Sequence, residues 1–389
     1  MRILYLTHGC PYPPNRGDRI RCYHILTHLA KKHEMTLVYP VFDKEHGECQ
    51  EHLRRYCESV IPVRHYKILS YISCLTALFR TIPLSIAYFY SSTLAKILQP
   101  IIPDLVIADC STMAQYAMPM AYPKILDFVD IDSQKWDHFA SMARFPTSLV
   151  YRLEARRLAQ YEQLLAERFN HCLVTSRHEQ SVLGRLANIS VLANGVDQQY
   201  FSPRDTPTDG SIIFTGVMNY FPNSDAALYF HRHIFPTVRR EVPSTRFIIA
   251  GMHPTAPIRD LASQHTVVTG FVPDIRDYLA KAAVCVVPLR IAMGIQNKIL
   301  EAMAMGVPVV TTSIANRGIR ATHGKEILVA DDPGEFAAAT IALLNDHGLR
   351  ETIAENARGF IERHFNWENN LQKLDQLIAE ATSVPTVRS

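Results

Sequence analysis

The sequence predicts an α/β chain made of two doubly wound, parallel-sheet domains in tandem, and three observations carry that expectation. Short runs rich in Val, Ile and Leu alternate with longer helical patterns; the alternation pauses once at a proline- and glycine-bearing segment and restarts; and 389 residues suit two domains of ordinary size. Composition agrees, since 48% hydrophobic and 20% charged residues supply core material and exclude a wholly disordered chain.

In order, the first half offers the strand-like runs RILYLTH, MTLVYPV, DLVIADC, KILDFV, HCLVTS and SVLANG. The opening MRILYLTHGC meets Pro11 and Pro13 too soon for the apolar core of a signal peptide and reads as the first strand. FSPRDTPTDG, from Phe201 to Gly210, reads as a linker, which sets the expected domains at residues 1–204 and 205–365. The second half repeats the pattern with SIIFTGV, RFIIAGM, HTVVTGF, AVCVVPL, VPVVTTS and EILVAD. In the tail, Leu371, Leu374, Leu377 and Ile378 fall on one face of a helix that must pack on something. Two such domains place ligands at the carboxyl ends of their strands, so a cleft between facing domains is the expected site.

Charge and cysteines exclude some functions. Forty Lys+Arg against thirty-seven Asp+Glu is too balanced for a dedicated nucleic-acid binder. Eight cysteines without a CxxC pair suggest neither a zinc site nor a redox motif and fit buried free thiols in a reducing compartment. The longest apolar run, Ile68 to Phe79, is too short to span a bilayer, for which ~20 residues are needed. Yet residues 51–100 carry Arg54, Arg55, Arg64, Lys67, Arg80 and Lys96 against only Glu51 and Glu58. Basic residues beside apolar sequence suit an anionic membrane surface; a core helix pair with a solvated basic rim is the competing reading.

The chemistry concentrates in PLRIAMGIQNKILEAMAMGVPVVTTSIANRGI, from Pro288 to Ile319. Gly294 permits close backbone approach, and the N–H groups of a helix starting near Ile295 to Asn297 form an anion site. Lys298 in the first turn opposes the helix dipole but suits a diphosphate. Glu301, three residues on, shares its face and can accept hydrogen bonds from two ribose hydroxyls. A structural i, i+3 pair is the plain alternative. Gly306 ends the helix and Pro308 prevents its continuation.

In the first half, Asp127, Asp130 and Asp132 crowd a strand end. Asp130-Ile131-Asp132 matches a DxD metal pattern only weakly, and Asp132 or Ser133 also fits a helix N-cap. The loop PPNRGDRIR holds Gly17 among Arg16, Arg19 and Arg21, suited to phosphate; there Asp18 reads as an N-cap and Arg21 as surface. No GxGxxG fingerprint follows the first strand, which speaks against a dehydrogenase.

LEAMAMGVPVVTT resembles the signature of GT-B glycosyltransferases of the retaining family 4, the group 1 sugar transferases. LANGVDQQYFSP, FTGVMNYFPN and TGFVPDIRDYL resemble further segments of that family in its order, and THGCPYPPNRGDRIR resembles its first loop. Two departures stand out. Met293 occupies the position of the first carboxylate of a Glu-x7-Glu pair, and Val217, Met218, Asn219 and Asn223 replace the usual basic pair for the diphosphate.

The resemblance implies the GT-B fold, with the segment 366–389 crossing back to the first domain. It implies transfer of a sugar, probed by donor contacts at Gly17, Arg19, Gly216, Asn219, Asn223, Phe271, Val272, Gly294, Lys298 and Glu301. Lys298 takes over the cationic role, Asp130 faces the acceptor as its proton acceptor, and Phe271 and Val272 meet the nucleobase. No metal and no cofactor beyond the nucleotide-diphosphate sugar is implied. The acceptor expected is a glycan or lipid-linked hydroxyl in surface or exopolysaccharide synthesis, as in the PEP-CTERM (exosortase)-associated branch, on the cytoplasmic face of the membrane. A GT-B nucleotide-sugar epimerase and a degenerate, non-catalytic membrane partner are the alternatives.

Overall fold

The computed structural model describes residues 1–42, 47–184 and 186–383. They form two compact units: Met1–Ala193 together with the segment from Glu368 onward, and Asn194–Trp367. In the first unit seven strands run parallel: β1 (Arg2–Leu6), β2 (Glu34–Val41), β3 (Ser59–Arg64), β4 (Leu105–Asp109), β5 (Lys124–Asp127), β6 (His171–Val174) and β7 (Ile189–Val191). Their spatial order is β3-β2-β1-β4-β5-β6-β7, with Ile3 opposite Met35 on one side and Leu105 on the other. Parallel strands covered on both faces read as continuous apolar runs, which is why β4, LVIAD, is buried at every position.

The second unit has six parallel strands: β8 (Ser211–Thr215), β9 (Phe247–Ala250), β10 (Thr266–Gly270), β11 (Ala282–Val287), β12 (Val309–Thr311) and β13 (Leu328–Val329). Their order is β10-β9-β8-β11-β12-β13. Both sheets are therefore doubly wound, and each reverses its strand order once, between β1 and β4 and between β8 and β11. Loops leaving neighbouring strands diverge at such a point and open a crevice at the carboxyl edge.

Several expectations meet the structure differently. β3, SVIPVR, is a strand the sequence reading passed over; it lies at the sheet edge, where Pro62 is tolerated because one side of the strand needs no donor. The chain passes between units at Ala193/Asn194, so FSPRDTPTDG lies within the second unit. The tail is a helix, Trp367–Ser383, on the first unit: Leu371, Leu374, Leu377 and Ile378 are buried, and Asp375 meets His28 at 3.0 Å and Lys32 at 2.6 Å. Residues 384–389 of the expected tail lie outside the described residues. Not every thiol is free. Cys10, just past β1, is joined to Cys49 of the helix Gly47–Leu53, a pairing that their spacing of 39 does not signal, while the other six remain free.

Candidate active site

The second unit's switch point is built backbone against backbone. β8 ends at Thr215 and turns at Gly216, where an added Cβ would lie 2.7 Å from Asn223 Nδ2 and 3.1 Å from Lys298 Nζ. A Cβ on Gly251, after β9, would fall 1.8 Å from the Gly216 carbonyl oxygen. Likewise a Cβ on Gly318 would sit 2.1 Å from the carbonyl oxygen of Gly294, itself in the left-handed region at φ 55°. Side chains are thus excluded where the loops converge.

Two helices bring the functional groups to this bare backbone. Asn223 lies in the first turn of Phe221–Tyr229, where Nδ2 donates to the Val217 carbonyl at 3.0 Å. That bond fixes the amide so that Oδ1 accepts from Lys298 Nζ at 2.5 Å. Lys298 and Glu301 come from Asn297–Ala304, whose opposite face buries Ile299, Leu300, Met303 and Ala304 in the core. Its N-cap, Gln296, makes no side-chain cap and donates to the Met293 carbonyl at 2.8 Å instead. The first-turn N–H groups are therefore left without a side-chain acceptor, at the positive end of the dipole.

The electrostatics of the cluster suit an anion. Burial pushes the Lys298 ammonium down to about 8, although Cys285 and Glu301 resist. Burial also lifts Glu301 to about 7 against the pull of Lys298. Lys298 Nζ stands 4.6 Å over the Phe214 ring, and among the described residues no carboxylate comes within ion-pair distance of it. A half-buried cation held by a neutral amide and a ring face, beside the N–H groups of a helix N-terminus, is arranged to receive negative charge. Of the other expected donor residues, Asn219 and Phe271 are exposed and Val272 is half-buried, and none enters this hydrogen-bonded cluster.

In the first unit the expected residues are differently placed. Arg21 is not surface: at 0% exposure it donates through Nε and Nη2 to Asp127, at 2.7 and 3.0 Å, and through Nη1 to the Leu192 carbonyl at 2.8 Å. Asp18 is not the N-cap of Gly17–Leu29, which is Arg16; its carboxylate accepts from Arg16 at 2.8 Å and meets His8 Nε2 at 3.2 Å. Nor does Asp132 or Ser133 cap Asp132–Met142, whose N-cap is Ile131. Asp132 pairs with Lys135, and Ser133 N–H and hydroxyl both donate to the buried Glu162. Gly17 is exposed and Arg19 half-buried.

Asp130 follows a turn strained by Val129 at φ 61°, a conformation costly for a β-branched residue and characteristic of functional loops. Burial raises its carboxyl to about 6, partly offset by Lys135 and reinforced by Asp132. A carboxyl titrating there is suited to take a proton near neutrality.

The sequence reading missed His8. Its Nδ1 lies 2.6 Å from Oδ2 of the buried Asp109, across the first switch point. Burial opposes charge on His8, but Cys110 and Asp109 and the bonds to Asp109 and Asp18 outweigh it and raise its pKa well above the ordinary value. Ligand atoms of His8, Asp109 and Cys110 lie within 4.8 Å of one another, close enough to hold a metal ion, though both imidazole nitrogens are already engaged by aspartates. Only the fold, by setting β1 beside β4, brings these residues together.

Residues 209–346, most of the second unit, match the model of the family described as Glycosyl transferases group 1. The second unit thus carries a segment that matches group 1 glycosyltransferases. Sucrose-phosphate synthase from Thermosynechococcus elongatus has the same fold, with a TM-score of 0.73 at 15% identity, covering 98% of this chain and 99% of that one. Anabaena HepE in complex with UDP and glucose superimposes with a TM-score of 0.70 at 15% identity, over 97% and 99% of the two chains. Both units together therefore have the GT-B fold. In sequence, an "Uncharacterized 44.6 kDa protein in cps region" of Klebsiella pneumoniae is 20% identical over 388 residues, 94% of this chain and 96% of that protein. The segment 209–346 contains the whole cluster of Gly216, Asn223, Gly294, Lys298 and Glu301.

Proposed function

We propose that this GT-B protein is a retaining hexosyltransferase that moves a sugar from a nucleotide-diphosphate sugar to a hydroxyl of a glycan or lipid-linked acceptor. One observation carries the reading: Lys298, half-buried beside an uncapped helix N-terminus, is held by the Asn223 amide instead of a carboxylate. A diphosphate supplies the missing negative charge, and Glu301 accepts the ribose hydroxyls. As the bond from the anomeric carbon to the diphosphate oxygen breaks, its electron pair passes to that oxygen, and Lys298 with the helix N–H groups stabilises the charge. The acceptor oxygen bonds to the anomeric carbon, and its proton goes to Asp130. Charge stabilisation is assigned to these groups, so EDTA is expected to leave turnover unchanged.

UDP and glucose bound to HepE support a UDP-sugar class of donor, and the cps-region relative supports a role in surface or exopolysaccharide synthesis. The protein would work on the cytoplasmic side, peripheral to the membrane. A thermal-shift screen of nucleoside diphosphates and nucleotide sugars tests the donor site: stabilisation by one of them is expected and is lost in Glu301→Ala. No shift with any of them would favour a degenerate partner. Isomerisation of the donor without an acceptor would favour an epimerase, and inversion at the product's anomeric carbon, read by NMR coupling constants, would remove retention.

A further inference from the structure

The helix Lys67–Leu78 is turned inside out for a soluble protein. The residues it buries are Ser70 and Ala77, whereas Ile68, Leu69, Tyr71, Ile72 and Leu75 are more than half exposed and Phe79, just past its end, is 93% exposed. An isolated exposed leucine is ordinary, but a contiguous row of six large apolar side chains marks an interaction surface.

This surface is held firmly. Ser70 Oγ meets His65 Nε2 at 2.8 Å on the buried side. Arg157 of the helix Thr147–Arg168 donates to the carbonyls of Ala77 at 3.0 Å and Leu78 at 3.1 Å, at the end of the exposed helix. Glu154, one turn earlier, accepts from the N–H groups of Leu84 and Ser85 at 2.6 and 2.8 Å, just beyond it. The first half of Thr147–Arg168 is thereby fastened beside Lys67–Leu78, and Leu149 and Val150 at its start, with Phe145 just before it, add to the exposed apolar residues.

Charge identifies the occupant. Residues 64–98 contain no Asp or Glu, and in 142–157 the single acid is Glu154, which is 1% exposed and fully engaged. The exposed charges of both segments are basic: Arg64, Lys67 and Arg80 in one, Arg144, Arg152 and Arg156 in the other. Twelve residues of helix are too few to cross a bilayer, and among the described residues no helix is long and apolar enough to do so. An apolar row whose own two segments expose only basic charges, with the acid Asp137 exposed on the neighbouring helix, suits insertion to the depth of the headgroups, with the helix lying in the plane of an anionic leaflet.

We propose that Lys67–Leu78, with the start of Thr147–Arg168, docks this protein on an anionic phospholipid surface. This deepens the peripheral-membrane part of the proposed function by naming the element and the lipid class, and it is independent of the donor site. The whole protein is floated with vesicles of phosphatidylcholine containing 30 mol% phosphatidylglycerol, and with phosphatidylcholine alone. Flotation with the anionic vesicles, weakened by 0.5 M NaCl, is expected, with at least tenfold weaker binding to the neutral ones. Ile72→Glu with Leu75→Glu, both at exposed positions, is expected to lower anionic-vesicle binding at least tenfold. Arg64→Gln, Lys67→Gln and Arg80→Gln together are expected to remove most of the salt dependence. Absence of wild-type flotation, or equal flotation of the Glu variant, overturns the proposal. So does a dimer in solution that the Glu variant dissociates, since a second copy would then cover the face. Nucleoside-diphosphate thermal shifts measured on the same variants are expected to be unchanged, which separates this outcome from failure of the donor site.

Discussion

The two sheets reverse strand order at equivalent places, β1 against β4 and β8 against β11, yet the charges gathered there are met in opposite ways. In the first unit Arg21 is chelated by Asp127, and His8 lies between Asp109 and Asp18. In the second, Lys298 has an amide and a ring face, and Glu301 is pushed toward its neutral form. One architecture thus serves two purposes. A buried cation with a complete set of internal acceptors fastens elements together, whereas one left with neutral partners is held ready for a ligand.

The largest expected effect tests the fastening role. Arg21→Met leaves Asp127 buried without its partner, so urea unfolding is expected to show a loss of about 3–5 kcal/mol, much of it recovered in Arg21→Met with Asp127→Leu. A loss below 1 kcal/mol would mean that the first switch point is no tighter than the second. Next, Lys298→Met removes a charge that burial disfavours, so stability should hold or rise. Nucleoside-diphosphate affinity measured by calorimetry is expected to fall tenfold to a hundredfold, the ~1.5–3 kcal/mol of a charge-assisted hydrogen bond. Unchanged affinity would erase the contrast between the units.

The smallest effect is a matter of pH. Burial lowers the Lys298 pKa to about 8, so its ammonium form is present below that value and lost above it. Affinity for the diphosphate is therefore expected to decline severalfold between pH 8 and 9, and Lys298→Met is expected to flatten that decline. An equally steep fall in the variant would place the titration on the ligand.

How far the site was legible follows the same division. Gly294, Lys298, Glu301 and Gly306 stand within one short stretch, so a loop, a helix and its stop could be read in order, and the structure places the helix at Asn297–Ala304. The strands were legible because burial on both faces makes them apolar throughout, and Pro62 concealed β3 because proline marks most segments as non-strand. The first unit's site was not legible. His8 and Asp109 are 101 residues apart, and Arg21 and Asp127 are 106 apart, so their meeting depends on strand order, which no local pattern encodes. The exposed face of Lys67–Leu78 was half legible. Its apolar residues are plain in sequence, but a core helix has the same composition, and only burial shows which way it points.

Where the chain enters and leaves the second unit, it nearly touches itself. Gly195, the second residue of that unit, has no room for a Cβ, which would fall 2.6 Å from the backbone nitrogen of Trp367, its last residue. Val196 N–H donates to the Phe365 carbonyl at 2.9 Å beside them. In genealogical terms the second unit is a cassette, a closed module set into a first unit whose own sequence resumes at Glu368. A module with its ends already joined can be lifted out, exchanged or duplicated while leaving its host with a short gap to close. The segment that matches group 1 glycosyltransferases lies wholly inside that module, and the exposed apolar helix Lys67–Leu78 lies wholly outside it.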